Sequence, residues 1–238
     1  MKYDYQKVTP GLYDFGNDKR SIRGLWHHKK FKTLSDLVSD VNPKLLIDLG
    51  CGPGVFIRDY CKTIPLAIGF DISINQIEYA SQFNNKNRYF VSNLDALFAT
   101  LKTWSSDLAG ADVSISSIEL LEHVEKEESL KLIRDLRNEL NSYHVRSLNM
   151  FISTPNKRSF WPIVEKLIDL FLGTDYRIQH MNIMNSSKFR EILIELQPKE
   201  ITVQSYMSFR HWLFNKKGIR PYSIVLSRGM LLLSKLTL

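Results

Sequence analysis

The sequence predicts an α/β protein built on a buried sheet, and two observations predict it. The first is the segment 44–57, KLLIDLGCGPGVFI, in which apolar residues flank one carboxylate, Asp48, before a glycine cluster and an apolar helical start. A continuous apolar run of this kind is typical of a strand buried on both faces of a parallel sheet. The second observation is that further apolar strands follow and end in polar residues. We therefore expect an α/β core.

The glycines after the first strand, Gly50, Gly52 and Gly54, let the backbone turn sharply and let a ligand lie directly against the main chain. A dinucleotide-binding turn has the spacing Gly-x-Gly-x-x-Gly and aims a helix N-terminus at a pyrophosphate. Here Val55 stands at the third glycine position, and Gly54 comes one residue early. The spacing therefore favours a nucleotide-like ligand other than a dinucleotide. A glycine turn with only a structural role is the alternative.

The segment Asp48–Gly54 resembles the first motif of the class I S-adenosylmethionine-dependent methyltransferases, apolar-Asp-x-Gly-x-Gly-x-Gly. The resemblance implies a Rossmann-like, doubly wound and mostly parallel sheet with helices on both faces. It also implies S-adenosylmethionine as the cofactor, bound at the carboxyl ends of the strands. The cofactor contacts implied in this motif are Asp48, Gly50, Cys51, Gly52 and Gly54.

The second strand, Ala67–Ser73, contains Asp71 near its end. A carboxylate at the tip of this strand can accept two hydrogen bonds from the hydroxyls of a ribose. The alternative is that Asp71 only caps the helix that follows, Ile74–Phe83. Beside a glycine turn we favour the ribose role, and we place Ile72 at the cofactor with it.

The third strand, Arg88–Ser92, is followed by Asn93, Leu94 and Asp95. In the resembled family an acidic or amide side chain at this place meets the adenine amino group, and the next residue offers its backbone N–H to the ring. The resemblance therefore implies that Asn93 and Leu94 contact the adenine. Asp95 is the competing candidate.

A fourth strand, Ala111–Ser116, leads into Ser117–Val124, which resembles the corresponding segment of small-molecule methyltransferases. It is similar in particular to the ubiquinone-biosynthesis O-methyltransferase group, whose segment ends in apolar-Glu-His-apolar. Enzymes that methylate nucleic-acid bases or glutamine have an Asn/Asp-Pro-Pro-aromatic segment here, and this sequence does not. The resemblance implies that Ser117 and Ile118 contact the cofactor and that Glu119 lines the acceptor pocket.

His123 is the candidate general base. A neutral imidazole, with a pKa of about 6.5, can accept a proton from a hydroxyl group as the methyl group moves. The alternative is that Glu122 and His123 begin a helix and hold it to the sheet, because methyl transfer often needs only proximity and orientation. His180 is a second candidate base.

Residues 1–43 are predicted to form an N-terminal segment with a helix that covers the cofactor. Apolar residues in Ser21–Leu37 have partial helical spacing. A Trp-His pair followed by basic and aromatic residues is similar to the region upstream of the first motif in the same methyltransferase group. Such a helix would bring Arg23, Trp26 or His27 near the cofactor carboxylate. The alternative is a solvated amphipathic helix with Trp26 in the core.

Residues 44–207 are predicted to form the methyltransferase core, with an acceptor lid at about 157–196. A fifth strand, Leu148–Ser153, precedes the lid, and a sixth, Lys199–Met207, follows it. The resembled fold usually has a seventh, antiparallel strand, for which Ser223–Ser227 is the one candidate segment. The candidate acceptor contacts of the lid are Phe160, Trp161, Tyr176, His180 and Met181. Core packing explains the first two of these residues equally well.

Residues 208–238 are predicted to be an apolar tail, with a helix over Pro221–Leu238. Arg228 and Lys235 interrupt its apolar run, so we do not expect it to span a membrane. A helix this apolar must be covered by the protein's own sheet, by a second subunit or by a membrane surface. A monomer and a homodimer are both compatible with the first two arrangements.

The composition is that of an ordinary globular chain, with 238 residues, 44% of them hydrophobic and 24% charged. Its two cysteines have neither a disulfide framework nor a metal-binding spacing. With a polar N-terminus, this predicts a cytoplasmic protein without a metal, or one peripheral to a membrane. The net charge of +7 allows an anionic partner, but the basic residues are scattered, so we rank nucleic acid below a small molecule.

The sequence as a whole predicts S-adenosylmethionine-dependent methyl transfer to a small molecule or a lipid-like precursor. Oxygen is the acceptor atom implied by the resemblance. Two alternatives stay open at this point. One is an RNA methyltransferase that uses the basic surface, and the other is a cofactor-binding subunit without catalysis.

Overall fold

The structure of the protein is a computed structural model, which describes residues 9–11, 22–159, 163, 166, 184–208 and 229–238. The strands in these residues are β1 Leu45–Leu49, β2 Leu66–Phe70, β3 Arg88–Val91, β4 Asp112–Ile118, β5 Ser147–Pro155, β6 Glu200–Ser208 and β7 Gly229–Thr237. They form one seven-stranded sheet in the order β3-β2-β1-β4-β5-β7-β6. The first six predicted strands are confirmed, with ends that differ by one or a few residues.

Helices connect the strands and cover both faces of the sheet. They are α1 Ile22–Val41, α2 Ile74–Ser81, α3 Leu94–Thr103, α4 Ser105–Leu108, α5 Lys126–Ser142 and α6 Ser186–Ile194, and a π-helical turn spans Phe56–Tyr60. Leu34 of α1 packs with Leu46 of β1 on one face, and Leu136 of α5 packs with Ile47 on the other. Successive strand residues point to opposite faces, so the sheet has a core on each side. The predicted doubly wound α/β fold is confirmed.

The order of the strands reverses between β1 and β4. β1 pairs in parallel with both β2 and β4, and Leu49, the last residue of β1, lies opposite Ser117. β2 and β3 are parallel, as are β4 and β5. In open α/β sheets a ligand binds outside the carboxyl ends of the strands at such a reversal. The fold therefore places the glycine turn and the segment after β4 side by side.

The end of the chain is a strand where the sequence analysis predicts a helix. Residues 229–237 form β7, which is antiparallel to both β5 and β6 and lies between them. The tail helix over Pro221–Leu238 is therefore wrong for these residues, and so is the assignment of 229–237 to a separate tail. As a strand between two partners, this apolar run has its backbone groups bonded and joins the core sheet. Ser223–Ser227, the candidate seventh strand, lies outside the described residues.

This correction removes residues 229–237 from the helix on which the predicted membrane-surface contact depended. Leu236 and Leu238 are buried in the core cluster of the sheet. Of the helices that the structure describes, none combines the length and the apolar character needed to cross a membrane.

Candidate active site

The glycine turn after β1 has a backbone that requires glycine. Gly50, Gly52 and Gly54 have φ angles of +73°, +52° and +77°, in the left-handed region that side chains disfavour. Space is also lacking, because a Cβ on Gly54 would lie 2.5 Å from the Phe90 ring and one on Gly50 would lie 2.9 Å from Leu120. The turn is thus packed against β3 and against the segment after β4, which leaves no room for a side chain at Gly50 or Gly54.

The turn is held to β2 by backbone hydrogen bonds. The N–H groups of Gly50 and Cys51 both donate to the Phe70 carbonyl, at 2.8 and 3.1 Å. The Cys51 side chain is buried, and burial, with the nearby charges of Asp71 and Asp48, raises the pKa of its thiol well above the ordinary value. Cys51 is therefore a neutral packing residue within the turn.

Asp71 joins the end of β2 to the glycine turn. Its Oδ2 accepts a hydrogen bond from the Gly52 N–H at 2.8 Å, and its Oδ1 accepts one from the Ser73 N–H, also at 2.8 Å. Burial raises the pKa of Asp71, while these two hydrogen bonds oppose the rise. The residue directly before α2 is Ser73, so Asp71 is not its cap residue. A carboxylate has about four lone-pair sites, so this one can accept further bonds from a ligand.

Two apolar side chains are exposed near Asp71. Ile72 follows β2 and is 60% exposed, and Leu94 follows the neighbouring β3 and is 39% exposed. Asn93 caps α3, because its Oδ1 accepts a hydrogen bond from the Ala96 N–H at 2.7 Å. An amide oxygen has two lone pairs, so the Asn93 side chain can still accept a second hydrogen bond or donate through its amide N–H groups.

Asp48 lies inside the sheet beneath the turn. Its side chain is 2% exposed, and its Oδ1 accepts a hydrogen bond from the Ser116 hydroxyl at 2.7 Å. Burial raises the pKa of Asp48 from 3.8 to about 7, against the effect of the Ser116 bond and with a contribution from the Asp71 charge. Asp48 thus links β1 to β4 just below the surface at which a ligand would lie.

The segment after β4 begins in a strained conformation. Ser117 is buried and Ile118 is half-buried, and the next residue, Glu119, has a φ of +53°. The Glu119 N–H donates to the Ser153 carbonyl at 2.9 Å, which fixes this turn against β5. The Glu119 carboxylate forms an ion pair with Lys30 of α1 at 2.5 Å.

Lys30 is a site residue that the sequence analysis missed. The helix α1 was expected to bring Arg23, Trp26 or His27 near the cofactor carboxylate. The side chains of Arg23 and Trp26 lie outside the described residues, and His27 stacks on the Phe31 ring. A pattern could have found Lys30, because it lies one and two helical turns before Leu34 and Val38, which face the core. A lysine on a core-facing stripe needs a buried partner.

Glu122 and His123 lie in a turn that ends before α5 begins at Lys126, so the alternative that they start this helix is wrong. Glu122 is fully buried and accepts a hydrogen bond from the Thr154 hydroxyl at 3.0 Å. His123 is half-buried, and its backbone N–H donates to the Leu120 carbonyl at 2.9 Å. The remaining predicted acceptor residues lie outside the described residues, namely Phe160, Trp161, Tyr176, His180 and Met181.

A cavity of about 200 Å³ lies between the same turn and the helices α5 and α6. The turn contributes Leu121 and Val124, and Met184 lines it just before α6. Most of its lining is apolar, with two lysines among the lining residues, Lys126 and Lys188. This side of the segment after β4 can therefore accommodate an apolar group.

The sequence matches the family model of the methyltransferase domain over residues 25–197. This match spans β1 to β5, the glycine turn and the segment that contains Glu119 and His123. No curated protein sequence matches the chain.

Solved structures show the same fold at low sequence identity. A SAM-dependent methyltransferase from Archaeoglobus fulgidus superposes with a TM-score of 0.61 at 16% identity, over 95% of this chain and 99% of that one. Magnesium protoporphyrin IX methyltransferase from Synechocystis PCC 6803 with bound SAH has a TM-score of 0.52 at 18% identity, over 91% and 84%. The plantazolicin methyltransferase BpumL, in complex with a triazolic desmethylPZN analogue and SAH, has a TM-score of 0.54 at 18% identity, over 98% and 95%. The chain belongs to the methyltransferase-domain family.

Proposed function

We propose that the protein transfers a methyl group from S-adenosylmethionine to an oxygen atom of a small molecule or lipid precursor. The observation on which the cofactor site depends is the hydrogen bond between the Asp71 carboxylate and the Gly52 N–H. It brings a ribose-binding group and a bare main-chain surface to one place at the switch point of the sheet. Bound there, the cofactor would supply an electrophilic methyl group on a sulfonium.

The residues around the glycine turn fit an adenosine moiety. Asp71 would accept hydrogen bonds from the ribose hydroxyls, and the exposed Ile72 and Leu94 would flank the planar ring. The Asn93 side chain would meet the adenine amino group, and the backbone N–H of Leu94 would face an acceptor nitrogen of the ring.

The glycine turn and the end of β4 would hold the rest of the cofactor. Gly50, Gly52 and Gly54 would admit it against the main chain, and the backbone of Ser117 and Ile118 would lie beside it. Asp48 and Cys51 are buried, so they would shape the site from beneath the turn.

The acceptor would approach from the segment after β4. Glu119 stands at its start, His123 follows in the same turn, and the apolar cavity beside Leu121 suits a hydrophobic part of the acceptor. His123 would take the proton of an acceptor hydroxyl as the oxygen–carbon bond forms. The preference for oxygen rests on the similarity of Ser117–Val124 to the ubiquinone-biosynthesis O-methyltransferase group.

Incubation of the purified protein with methyl-labelled S-adenosylmethionine and a cell extract would test the proposal. We expect label in small molecules or lipids, S-adenosylhomocysteine as the coproduct, and little of either with Asp71→Ala. Label found only in RNA would favour the RNA methyltransferase, a reading that the net charge of +7 supports. Cofactor binding without any transfer would favour a non-catalytic subunit.

A further inference from the structure

Lys30 is a buried cation in the helix next to the candidate active site. Its side chain is 3% exposed, and it stands on the same face of α1 as Leu34 and Val38, which pack in the core. Removing an ammonium group from water is costly unless a negative charge compensates it. Its location therefore requires a partner.

The partner of Lys30 is Glu119, which is distant in the sequence. The Lys30 Nζ donates to the Glu119 Oε2 at 2.5 Å, across 89 residues, and it also lies 4.9 Å from the centroid of the Phe31 ring. The Glu119 side chain is 23% exposed, so the pair is shielded from solvent on the lysine side and reaches the surface on the carboxylate side. By contrast, Lys32 and Asp36 form an ion pair on the same helix in which both side chains are well exposed.

The contacts continue from Glu119 to the glycine turn. Glu119 has a φ of +53°, a left-handed conformation that is uncommon for a residue with a side chain. The next residue, Leu120, packs directly on Gly50, whose Cβ position is 2.9 Å from the Leu120 side chain. A change in the Glu119 turn would therefore be transmitted to the glycine turn.

We propose that Lys30 is a positioning residue for the cofactor site. By pairing with Glu119 it fixes the left-handed turn after β4, so that Leu120 supports Gly50 in the conformation that the cofactor requires. Lys30 acts through Glu119 and does not touch the cofactor. The inference rests on the proposed placement of S-adenosylmethionine on the glycine turn.

Calorimetry with S-adenosylhomocysteine, at a temperature well below unfolding, tests this role without an acceptor. Lys30→Met keeps the length of the side chain and removes its charge, and Glu119→Gln does the same for the partner. We expect either change to weaken binding about tenfold. The double variant removes both charges of the Lys30–Glu119 pair. It should bind no more weakly than either single variant, because all three variants lose the same interaction.

Two further variants separate positioning from general stability. Lys30→Arg keeps the charge and should recover most of the affinity, and Lys32→Met should bind like the wild type. Wild-type affinity in folded Lys30→Met, or in the folded double variant, would overturn the proposal. So would equal losses in Lys30→Arg and Lys30→Met. A wild-type protein that does not bind S-adenosylhomocysteine would instead contradict the cofactor placement, and the positioning role with it.

Discussion

The Asp71 carboxylate and the Gly52 N–H are joined by a hydrogen bond of 2.8 Å, which ties the end of β2 to the glycine turn after β1. This bond fixes the position of the acidic group relative to the turn. Preorganisation of this kind lowers the entropy lost on binding. Burial raises the pKa of Asp71, because removal from water destabilises the ionised carboxylate. A ligand that donates hydrogen bonds to the ionised form would offset part of this destabilisation.

The first prediction concerns this carboxylate. Asp71→Ala should weaken the binding of S-adenosylmethionine by about 1–3 kcal/mol, because charge-assisted hydrogen bonds to the ribose are lost. Calorimetry would measure the change. Asp95→Ala is the matched control, since Asp95 lies exposed in the first turn of α3 and was the competing acidic candidate. Unchanged affinity in Asp71→Ala would reject Asp71 as the ribose ligand.

The second prediction separates backbone strain from lack of space in the glycine turn. Gly54 and Gly110 both have left-handed φ angles, +77° and +69°, but a Cβ on Gly54 would meet the Phe90 ring at 2.5 Å, whereas one on Gly110 would meet nothing within 4 Å. Gly110→Ala should lose about 1 kcal/mol of unfolding free energy through strain alone. Gly54→Ala should lose about 1–3 kcal/mol more, through overpacking.

Denaturant unfolding of both glycine variants would check this, together with their affinity for S-adenosylhomocysteine. Only Gly54→Ala should bind the ligand more weakly. Equal stability losses in the two variants would show that the Phe90 ring can move to accommodate a Cβ at Gly54.

Local patterns were enough to predict the turn and most of the sheet. Leu45–Leu49 is apolar throughout and the glycines follow it directly, so both features are contained in one short segment. The cap formed by Asn93 was also within reach of the sequence, because Asn directly before a helix commonly bonds the N–H three residues on.

What the sequence could not show depends on contacts between distant segments. The apolar run in Gly229–Thr237 fits a helix or a buried strand equally well, and only its place between β5 and β6 decides between them. In the same way, Lys30 and Glu119 are separated by 89 residues, so no local spacing connects them. Tertiary pairing overrides local pattern in both cases.

The third prediction uses the pH dependence of stability. The folded protein keeps the Asp48 proton up to about pH 7, whereas the unfolded chain releases it near its ordinary pKa of 3.8. Between these values the folded state binds more protons, so the contribution of Asp48 to stability falls as the pH rises. Asp48→Asn cannot ionise and can still accept the Ser116 bond. It should gain stability relative to the wild type as the pH rises through this window, by at most about 4 kcal/mol.

Unfolding of Asp48→Asn and of the wild type, followed from about pH 2 to pH 8, would measure the difference and would also include the range in which Asp112 titrates. Asp112→Asn is a control of opposite sign, because the hydrogen bond from Arg146 lowers the pKa of Asp112. That wild-type carboxylate stabilises the protein above its unfolded pKa and loses its effect as the pH falls. Parallel pH curves for Asp48→Asn and the wild type would show that Asp48 is not held protonated.

The last prediction concerns the proton in the proposed reaction. If His123 accepts it from the acceptor hydroxyl, His123→Ala should lower turnover by roughly 10²–10⁴ while the affinity for S-adenosylhomocysteine stays nearly unchanged. The backbone N–H of His123 bonds the Leu120 carbonyl whatever the side chain is, so the turn should survive the substitution. Turnover would be measured as S-adenosylhomocysteine release with the acceptor found by labelling.

His144 provides the control for this experiment. It is exposed in the connection between α5 and β5, at the amino end of β5, whereas the candidate site lies at the carboxyl ends of the strands. Its φ is +57°. His144→Asn keeps a residue that tolerates this conformation and should leave turnover unchanged. A loss of less than tenfold in His123→Ala, with the fold intact, would mean that proximity and orientation accomplish the transfer and that the proton leaves to solvent.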